Sequence, residues 1–371
     1  MEENRKTEEE KERIFERMLE PGEGKRIKVP SVLIKIPIKR WLLLLVIIGI
    51  VIALTVVYLT YPFEKLAEKP SEKEIKPIKP AKIEGLKSVG SAKVVYKERD
   101  GHSTKASIYW PLGEETLKHP GVVLIGREGI AGWNEMYGWL CEGLAANGYV
   151  AMVFEPTHQS NPLLSRIEAI NGTWSSDLMT AINYLTNKDP FKKMVDGDSI
   201  GVIGHSFGGV VATMTPQIDD RIKAVVVISK GDLTSVDKLT VPIQIISGDL
   251  DLAGLGFVEA LPLYEVANPP KQLIMIKAGT GLGFTTFFGP LYPRAPWQHS
   301  TTLQYTTAWF DYFLKRDDSA METLITPVDS LSTAYPSKYT FEAGEVTMGI
   351  PREVEEQETI EEPEAIEEHG R

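Results

Sequence analysis

The stretch that decides the fold is SIGVIGHSFGGVVATM, Ser199–Met214, in which an apolar run ends abruptly in a serine surrounded by glycines. The run has the length and composition of a buried strand, and the small and apolar residues from Gly208 onward are typical of a helix. A serine between a strand and a helix can be held in a tight, strained turn, where Gly204, Gly208 and Gly209 leave room that side chains would fill. Ser206 is therefore the candidate nucleophile.

A serine that attacks a carbonyl needs hydrogen-bond donors for the oxyanion that forms. The backbone N–H of Phe207, at the start of the predicted helix, is placed to donate. We expect the second donor to be the N–H of Arg127, in the loop after the apolar run VVLIG. One such donor contributes roughly a hundredfold to a thousandfold in rate. An ordinary tight turn is the alternative interpretation of the same residues.

The composition limits the class of protein. The chain has 371 residues, of which 43% are hydrophobic and 25% charged, enough for one sizeable domain with a full core and appendages. The formal net charge of −11 argues against nucleic acid as the main partner. The single cysteine, Cys141, excludes an internal disulfide.

A long uncharged segment precedes this domain. WLLLLVIIGIVIALTVVYLTYPF, residues 41–63, is long enough to cross a bilayer, since about 20 helical residues span the hydrocarbon core. Trp41, Tyr58 and Tyr61 lie near its ends, where amphipathic rings favour the interface. A cleaved signal peptide would be shorter and closer to the amino terminus, and a buried core helix would not be apolar on every face. We predict one transmembrane helix and a single-pass membrane protein with the lipid bilayer as a partner.

The predicted organisation follows from the composition of the other segments. We assign a charged amino-terminal segment, the transmembrane helix, a Lys/Glu/Pro-rich stalk, a folded domain and an acidic disordered tail. Basic residues on the two sides of the span nearly balance, and the Lys39-Arg40 pair beside it favours an extracytoplasmic domain. The boundaries are 1–40, 41–63, 64–88, 89–344 and 345–371.

The domain at 89–344 alternates strand-like and helix-like segments. Two β-rich arms around Asp100-Gly101 predict an opening hairpin. Short apolar runs then alternate with segments of helical spacing, which predicts an α/β fold with a mostly parallel sheet covered on both faces. Sites in such sheets form at the carboxyl ends of strands, and Ser206 stands at one of them. The predicted strands are PGVVLIG, YVAMVFEP, DSIGVIGHS, IKAVVVIS, VPIQIISG and KQLIMIKAG.

From about Ser91 to Asp317 the chain resembles α/β-hydrolases of the dienelactone hydrolase and cutinase-like group, which includes polyester hydrolases. The resemblance implies an α/β-hydrolase fold and a serine hydrolase that acts on carboxylic esters without a metal or cofactor. The segment SKGDLTSVDKLT, between two late strands, is too short for a helical cap, so we expect no large lid. The resemblance is carried by VVLIGREG, LAANGYVAMVFEP, DSIGVIGHSFGGVVA, RIKAVVVIS, VPIQIISGDLDLAG and TTAWFDYFLKRD.

A catalytic triad on this fold runs in the order Ser, then Asp or Glu, then His. The loop after VPIQIISG offers Asp249 and Asp251. In similar hydrolases the acid lies three residues after the glycine of this loop, which is Asp251, and Asp249 is the alternative. The acid would hold the imidazole tautomer and stabilise the imidazolium.

The histidine is harder to assign because the chain has only six. The resemblance implies a histidine after the last parallel strand, where matching the strand ends puts Gly281. His299, in PRAPWQHSTT, has the correct chain order after Asp251 and is the candidate base, delivered by the aromatic and proline-rich loop before it. His158, in EPTHQSNP, follows another strand and is the alternative with the wrong order. His205, inside the serine turn, is expected only to shape it.

Two functions follow from these assignments. The first is a membrane-anchored serine hydrolase of small or polymeric esters, with Phe287, Phe288 and Tyr292 as candidate substrate-binding residues. The alternative is a catalytically impaired hydrolase-like protein that binds a ligand or partner, because Gly281 stands where the family's histidine is expected.

Overall fold

The computed structural model describes residues 87–97, 101, 103–127, 134–158, 161–251, 256–286, 296–341 and 345–348. All of them fall within the unit Lys82–Arg371. The predicted amino-terminal segment, the predicted transmembrane helix at 41–63 and nearly all of the predicted stalk lie outside these ranges. Within the described ranges, no helix combines the length and the apolar character needed to cross a bilayer.

The strands of the described residues form one sheet. They are β1 (Val89–Lys97), β2 (Ser103–Pro111), β3 (His119–Arg127), β4 (Val150–Phe154), β5 (Val195–Ser206), β6 (Ile222–Ile228), β7 (Ile243–Gly248), β8 (Lys271–Ile276), β9 (Ser337–Thr340) and β10 (Val346–Met348). Their spatial order is β1-β2-β4-β3-β5-β6-β7-β8-β9-β10. Strands β3 to β8 are parallel, and the other four pair antiparallel at the two edges. The predicted mostly parallel sheet is confirmed.

Helices pack on both faces of the sheet because alternate strand residues point to opposite sides. Val123 packs in the cluster that contains Trp174, whereas its neighbour Val122 packs in the cluster that contains Trp309. Every residue of β4 is buried, as expected for a parallel strand covered on both faces. The helices of the described ranges are α1 (Gly138–Ala146), α2 (Pro162–Ile170), α3 (Thr173–Asn187), α4 (Phe191–Met194), α5 (Phe207–Met214), α6 (Leu233–Val236), α7 (Gly256–Val266), α8 (Pro296–Leu314) and α9 (Ala320–Ile325).

The edges of the sheet differ in how well the sequence predicts them. The opening hairpin pairs β1 with β2 from Val89↔Pro111 to Lys97↔Ser103, and Gly101 in its connection has a φ of 87°. At the other edge, β9 and β10 were not predicted, and β10 pairs with β9 after residue 345. The predicted start of a disordered tail at residue 345 therefore falls before the last strand of the sheet.

The connection between β6 and β7 contains only the short helix α6. Its residues leave no room for a helical cap in this connection, as the length of SKGDLTSVDKLT predicts. The carboxyl ends of the central strands are therefore not covered by an insertion at this point.

The turn from β5 into α5 is built from backbone packed on backbone. A Cβ on Gly209 would overlap the carbonyl oxygen of Lys230, and a Cβ on Gly208 would overlap that of Ile125. A Cβ on Gly204 would overlap the carbonyl oxygen of Gly208. Since backbone atoms at these points cannot move aside without disturbing the sheet, the three glycines are required for the turn to close.

We predict that Gly209→Ala destabilises the domain by about 1–3 kcal/mol or more, because the added methyl overlaps the backbone of Lys230. Gly197→Ala is the matched control, since its Cβ would lie 3.6 Å from the nearest heavy atom, Thr186 Cγ2. Urea unfolding followed by circular dichroism measures both variants. Equal midpoints for the two variants would contradict the assignment of a steric requirement at Gly209.

Candidate active site

Ser206 occupies a conformation that residues other than glycine rarely adopt. It has φ 55° and ψ −118° at the junction of β5 and α5, and its side chain is partly exposed. Such a backbone conformation costs about 1–3 kcal/mol and is concentrated at functional sites. The geometry is that of the strained strand-to-helix turn predicted from the sequence.

The predicted oxyanion donors lie at the same edge of the sheet as Ser206. Phe207 is the first residue of α5, and Arg127, the last residue of β3, is in register with Ser206 on the adjacent parallel strand. Gly126 lies against the ring of Tyr137, which any Cβ at this position would overlap. The end of β3 is thus held beside the turn by a side chain that packs on its backbone.

The two candidate acids have different surroundings. Asp249 accepts a hydrogen bond from the Ala278 N–H at 2.7 Å through Oδ1 and another from the Ser332 hydroxyl at 2.6 Å through Oδ2. Its carboxylate therefore ties the loop after β7 to two other segments. Asp251 is 1% exposed at the carboxyl end of β7.

The loop after β8 supports the loop that carries Asp249 and Asp251. The Leu250 N–H donates to the Gly279 carbonyl at 3.0 Å, and a Cβ on Gly248 would overlap the backbone of Gly279. The loop that carries Asp251 therefore lies directly on the loop after β8.

The same loop holds the first turn of α8. Gln298 donates from Nε2 to the Thr280 carbonyl at 2.8 Å and accepts from the Thr280 N–H at 3.3 Å. Trp297 donates from its indole N–H to the Lys277 carbonyl at 2.8 Å. The first turn of α8, which includes His299, is thereby fixed at the edge of the sheet where Ser206 lies.

His299, in the first turn of α8, packs against Trp139 near the start of α1. Its ring stacks on Trp139 with centroids 3.8 Å apart and planes 3° from parallel. The Trp139 indole N–H donates to the Phe284 carbonyl at 3.3 Å, and the Phe284 ring contacts His205 with centroids 5.7 Å apart. A chain of contacts thus leads from His299 to the residue that precedes Ser206.

Gly281 is the point at which the site departs from the resemblance. It is buried and begins a single 3₁₀ turn, Gly281–Phe284, in which the Thr280 hydroxyl accepts from the Gly283 N–H at 3.1 Å. The ring of Phe284 is fully buried below it. The position implied for a histidine is therefore occupied by a compact turn without an imidazole.

The other histidines have distinct settings. His158 has a φ of 51°, lies after β4 at the same edge of the sheet, and contacts Glu168 Oε1 through Nδ1 at 2.6 Å. His119 begins β3 at the opposite end of the strand. His102 and His369 lie outside the described residues.

His205 is buried beneath the serine turn. Its Nδ1 lies 2.7 Å from the Tyr137 hydroxyl, and burial lowers the pKa of its imidazole to about 3. A ring that stays neutral and enclosed cannot exchange a proton with Ser206 during turnover. The expectation that His205 shapes the turn agrees with this setting.

Sequence reasoning missed several members of this site. Tyr137, Trp139 and Glu168 each contact a histidine. The sequence does not predict α2, the helix that contains Glu168. Trp139 contacts His299 and Phe284, which are more than a hundred residues away in the chain, so no local sequence pattern predicts these contacts. The candidate substrate-binding residues Phe287, Phe288 and Tyr292 lie outside the described residues. Within the described ranges, His, Cys, Asp and Glu form no group of three suited to a metal ion.

Comparison with known proteins agrees with the fold and the resemblance. Residues 70–340 match the family model described as PETase, PET hydrolase-like. A bis(hydroxyethyl) terephthalate hydrolase of Streptomyces coelicolor is 23% identical over 274 residues, which cover 73% of this chain and 81% of that protein. An uncharacterized protein of Pseudomonas aeruginosa is 27% identical over 148 residues, 39% of this chain and 38% of its own length. The resemblance predicted from the sequence is confirmed.

The buried histidine predicts how stability depends on pH. Because the pKa of His205 falls from about 6.5 in the unfolded chain to about 3 in the fold, its contribution to stability is complete above pH 6.5 and is lost as the pH falls. We expect this group alone to lower the free energy of unfolding by about 2 kcal/mol between pH 6.5 and pH 5.

Urea unfolding of the wild type and of His205→Gln across this pH range isolates the contribution. The wild type should exceed His205→Gln in stability by less as the pH falls. Only the wild type loses stability through protonation of His205 in the unfolded chain. A difference that stays constant from pH 7 to pH 5 would show that His205 is not held neutral.

Proposed function

The chain belongs to the PET hydrolase-like family, and on that premise we propose that it is a serine hydrolase of carboxylic esters. The observation that carries this proposal is the strained conformation of Ser206 at the end of β5. A strained turn held by three glycines has no structural benefit of its own, whereas it exposes a nucleophile beside a helix amino terminus.

In the proposed reaction, Ser206 Oγ attacks the ester carbonyl as His299 takes its proton. The Phe207 and Arg127 N–H groups stabilise the oxyanion, and His299 then donates the proton to the leaving alcohol. A water molecule attacks the acyl-enzyme in the second half, and the carboxylic acid leaves as Ser206 regains its proton. Asp251 orients the imidazole of His299 throughout. No metal or cofactor is needed for these steps.

Three features support His299 as the base. It follows Asp251 in the chain, as the order of triads on this fold requires. Its helix begins at the loop that also supports the Asp251 loop, and its ring contacts the residues next to the serine turn through Trp139 and Phe284. His158 has an acidic partner in Glu168 but the wrong chain order, so it remains the alternative base.

The compact turn at Gly281 favours a second candidate function, a ligand-binding protein without efficient turnover. Loss of the base can remove about a millionfold of turnover, while an oxyanion hole and binding alone retain about a thousandfold over water. Such a protein would still bind ester-like ligands at the serine turn.

A named relative supports the proposed substrate class. The similar Streptomyces protein is named for hydrolysis of bis(hydroxyethyl) terephthalate, an ester of an aromatic acid. We extend to this chain an ester substrate, small or polymeric, with Phe287, Phe288 and Tyr292 as the residues that contact it.

We predict that Ser206→Ala and His299→Ala each lower kcat for short p-nitrophenyl esters by at least about a thousandfold, because each removes a group that acts in the transition state. His119→Ala is the matched control, a histidine at the far end of β3, and should change kcat less than about twofold. Full activity of Ser206→Ala would refute the mechanism, and full activity of His299→Ala alone would move the base to His158, tested by His158→Ala.

Labelling with a fluorophosphonate probe separates the two candidate functions, because the probe reacts only with an activated serine. Rapid labelling of the wild type that disappears in Ser206→Ala is the expected result. Absence of labelling in a folded wild type would favour the ligand-binding function.

We also propose that residues 41–63 anchor the hydrolase in a membrane with the domain outside the cytoplasm. The uncharged segment and the adjoining Lys39-Arg40 pair support this. The full chain should remain in the membrane fraction after alkaline carbonate extraction. A variant with Ile48→Lys and Ile52→Lys should be released, since each lysine costs about 3 kcal/mol at the bilayer centre. Equal release of the wild type and the double variant would contradict the proposal that residues 41–63 anchor the protein.

A further inference from the structure

A positively charged residue, Lys230, lies beside the serine turn, although the chain carries a formal net charge of −11. On one side of the turn, the backbone of Arg127 is in register with Ser206 on β3. Lys230 follows β6, the strand on the other side of β5. The proposed mechanism uses the backbone N–H of Arg127 and gives the side chain of Lys230 no role.

The backbone of Lys230 is fixed against the turn. The preceding residue, Ser229, has a φ of 67°, and the Lys230 N–H donates to the Ile228 carbonyl at 2.9 Å. The Lys230 carbonyl oxygen lies so close to Gly209 that a Cβ there would overlap it. The side chain of Lys230 therefore extends from a backbone that is fixed beside α5.

The ammonium group of Lys230 lies over the residue that follows the nucleophile. Its Nζ is 5.9 Å from the centroid of the Phe207 ring, at the outer range of a cation–π contact. Both side chains are partly exposed. A positive charge thus lies next to the residue whose N–H is the proposed oxyanion donor.

Two acids lie near the carboxyl ends of strands close to the serine turn. Asp232 is two residues after Lys230 and accepts hydrogen bonds from the hydroxyls of Thr234 and Ser235. Glu155, directly after β4, lies on the opposite side of the serine turn, and burial raises the pKa of its carboxyl. Lys230 is the positively charged side chain on the β6 side of the turn.

We propose that Lys230 binds a carboxylate on the acyl part of the substrate, so that the site prefers esters that carry a negative charge, such as half-esters of dicarboxylic acids. This proposal rests on the proposed function. Half-esters form when a diester loses one of its two alcohols, so the site would consume the product of a first diester cleavage.

The test compares two substrates of equal acyl length, p-nitrophenyl hydrogen glutarate, which is anionic, and p-nitrophenyl pentanoate, which is neutral. The measured quantity is the ratio of their kcat/KM values. Lys230→Met should lower this ratio about tenfold to a hundredfold, because a charged hydrogen bond contributes about 1.5–3 kcal/mol. Lys230→Arg should retain most of the preference. Addition of 1 M NaCl should reduce the preference in the wild type and in Lys230→Arg but not in Lys230→Met.

Lys223→Met is the matched control, since Lys223 is exposed near the start of β6, away from the turn. Its ratio should equal that of the wild type. An unchanged ratio in Lys230→Met, or an equal fall in Lys223→Met, would overturn the proposal while leaving ester hydrolysis by Ser206 intact.

A binding measurement keeps the proposal testable if the protein hydrolyses no ester. Calorimetric titration of Ser206→Ala with monoethyl glutarate should give an affinity about tenfold or more above that of the Ser206→Ala/Lys230→Met protein. Ethyl pentanoate is the neutral comparison ligand and should not distinguish the two. Equal affinities for monoethyl glutarate would reject Lys230 as the anion-binding residue.

Discussion

The site depends on the direct contact of the α5 backbone with the backbone of β3 and with the backbone that follows β6. Gly208 lies on the carbonyl of Ile125, and Gly209 lies on the carbonyl of Lys230. With the helix held this close, the chain can pass from β5 to α5 only by a sharp turn, and the positive φ falls on Ser206. The strain at the serine is thus imposed by packing that the large buried core stabilises.

A second constraint organises the other half of the site. The loop after β8 touches the Asp251 loop through Gly248 and Gly279 and holds the start of α8 through Thr280 and Gln298. Asp249 adds a bond to Ser332, so that the segment before β9 also fixes this loop. The candidate acid and the candidate base therefore share one support, and a displacement of that loop would move both together.

Local patterns predicted the parts of the fold that local forces determine. The hairpin around Asp100-Gly101, the buried parallel strands and the turn at Ser206 each follow from a few neighbouring residues. The strands β9 and β10 are four and three residues long, too short for alternation to be visible. Strand β9 depends on pairing with β8, and β10 depends on pairing with β9. The stack of Trp139 on His299 joins helices that are distant in the chain, so the sequence did not predict it either. Asp249 and Asp251 lie in the same loop, and the sequence favours Asp251 only through the resemblance. Their different surroundings, with Asp249 bonded to Ala278 and Ser332 and Asp251 buried, are seen only in the structure.

The position of the candidate base shows why a matching motif does not settle a mechanism. The resemblance implies a histidine on a loop at Gly281, whereas His299 lies in the first turn of α8, where a stack on Trp139 holds its ring. In the proposed mechanism a buried carboxylate, that of Asp251, orients this ring and stabilises its charged form. The motif around Ser206 predicts neither the stack nor the buried acid, because both depend on segments that are distant from it in the chain.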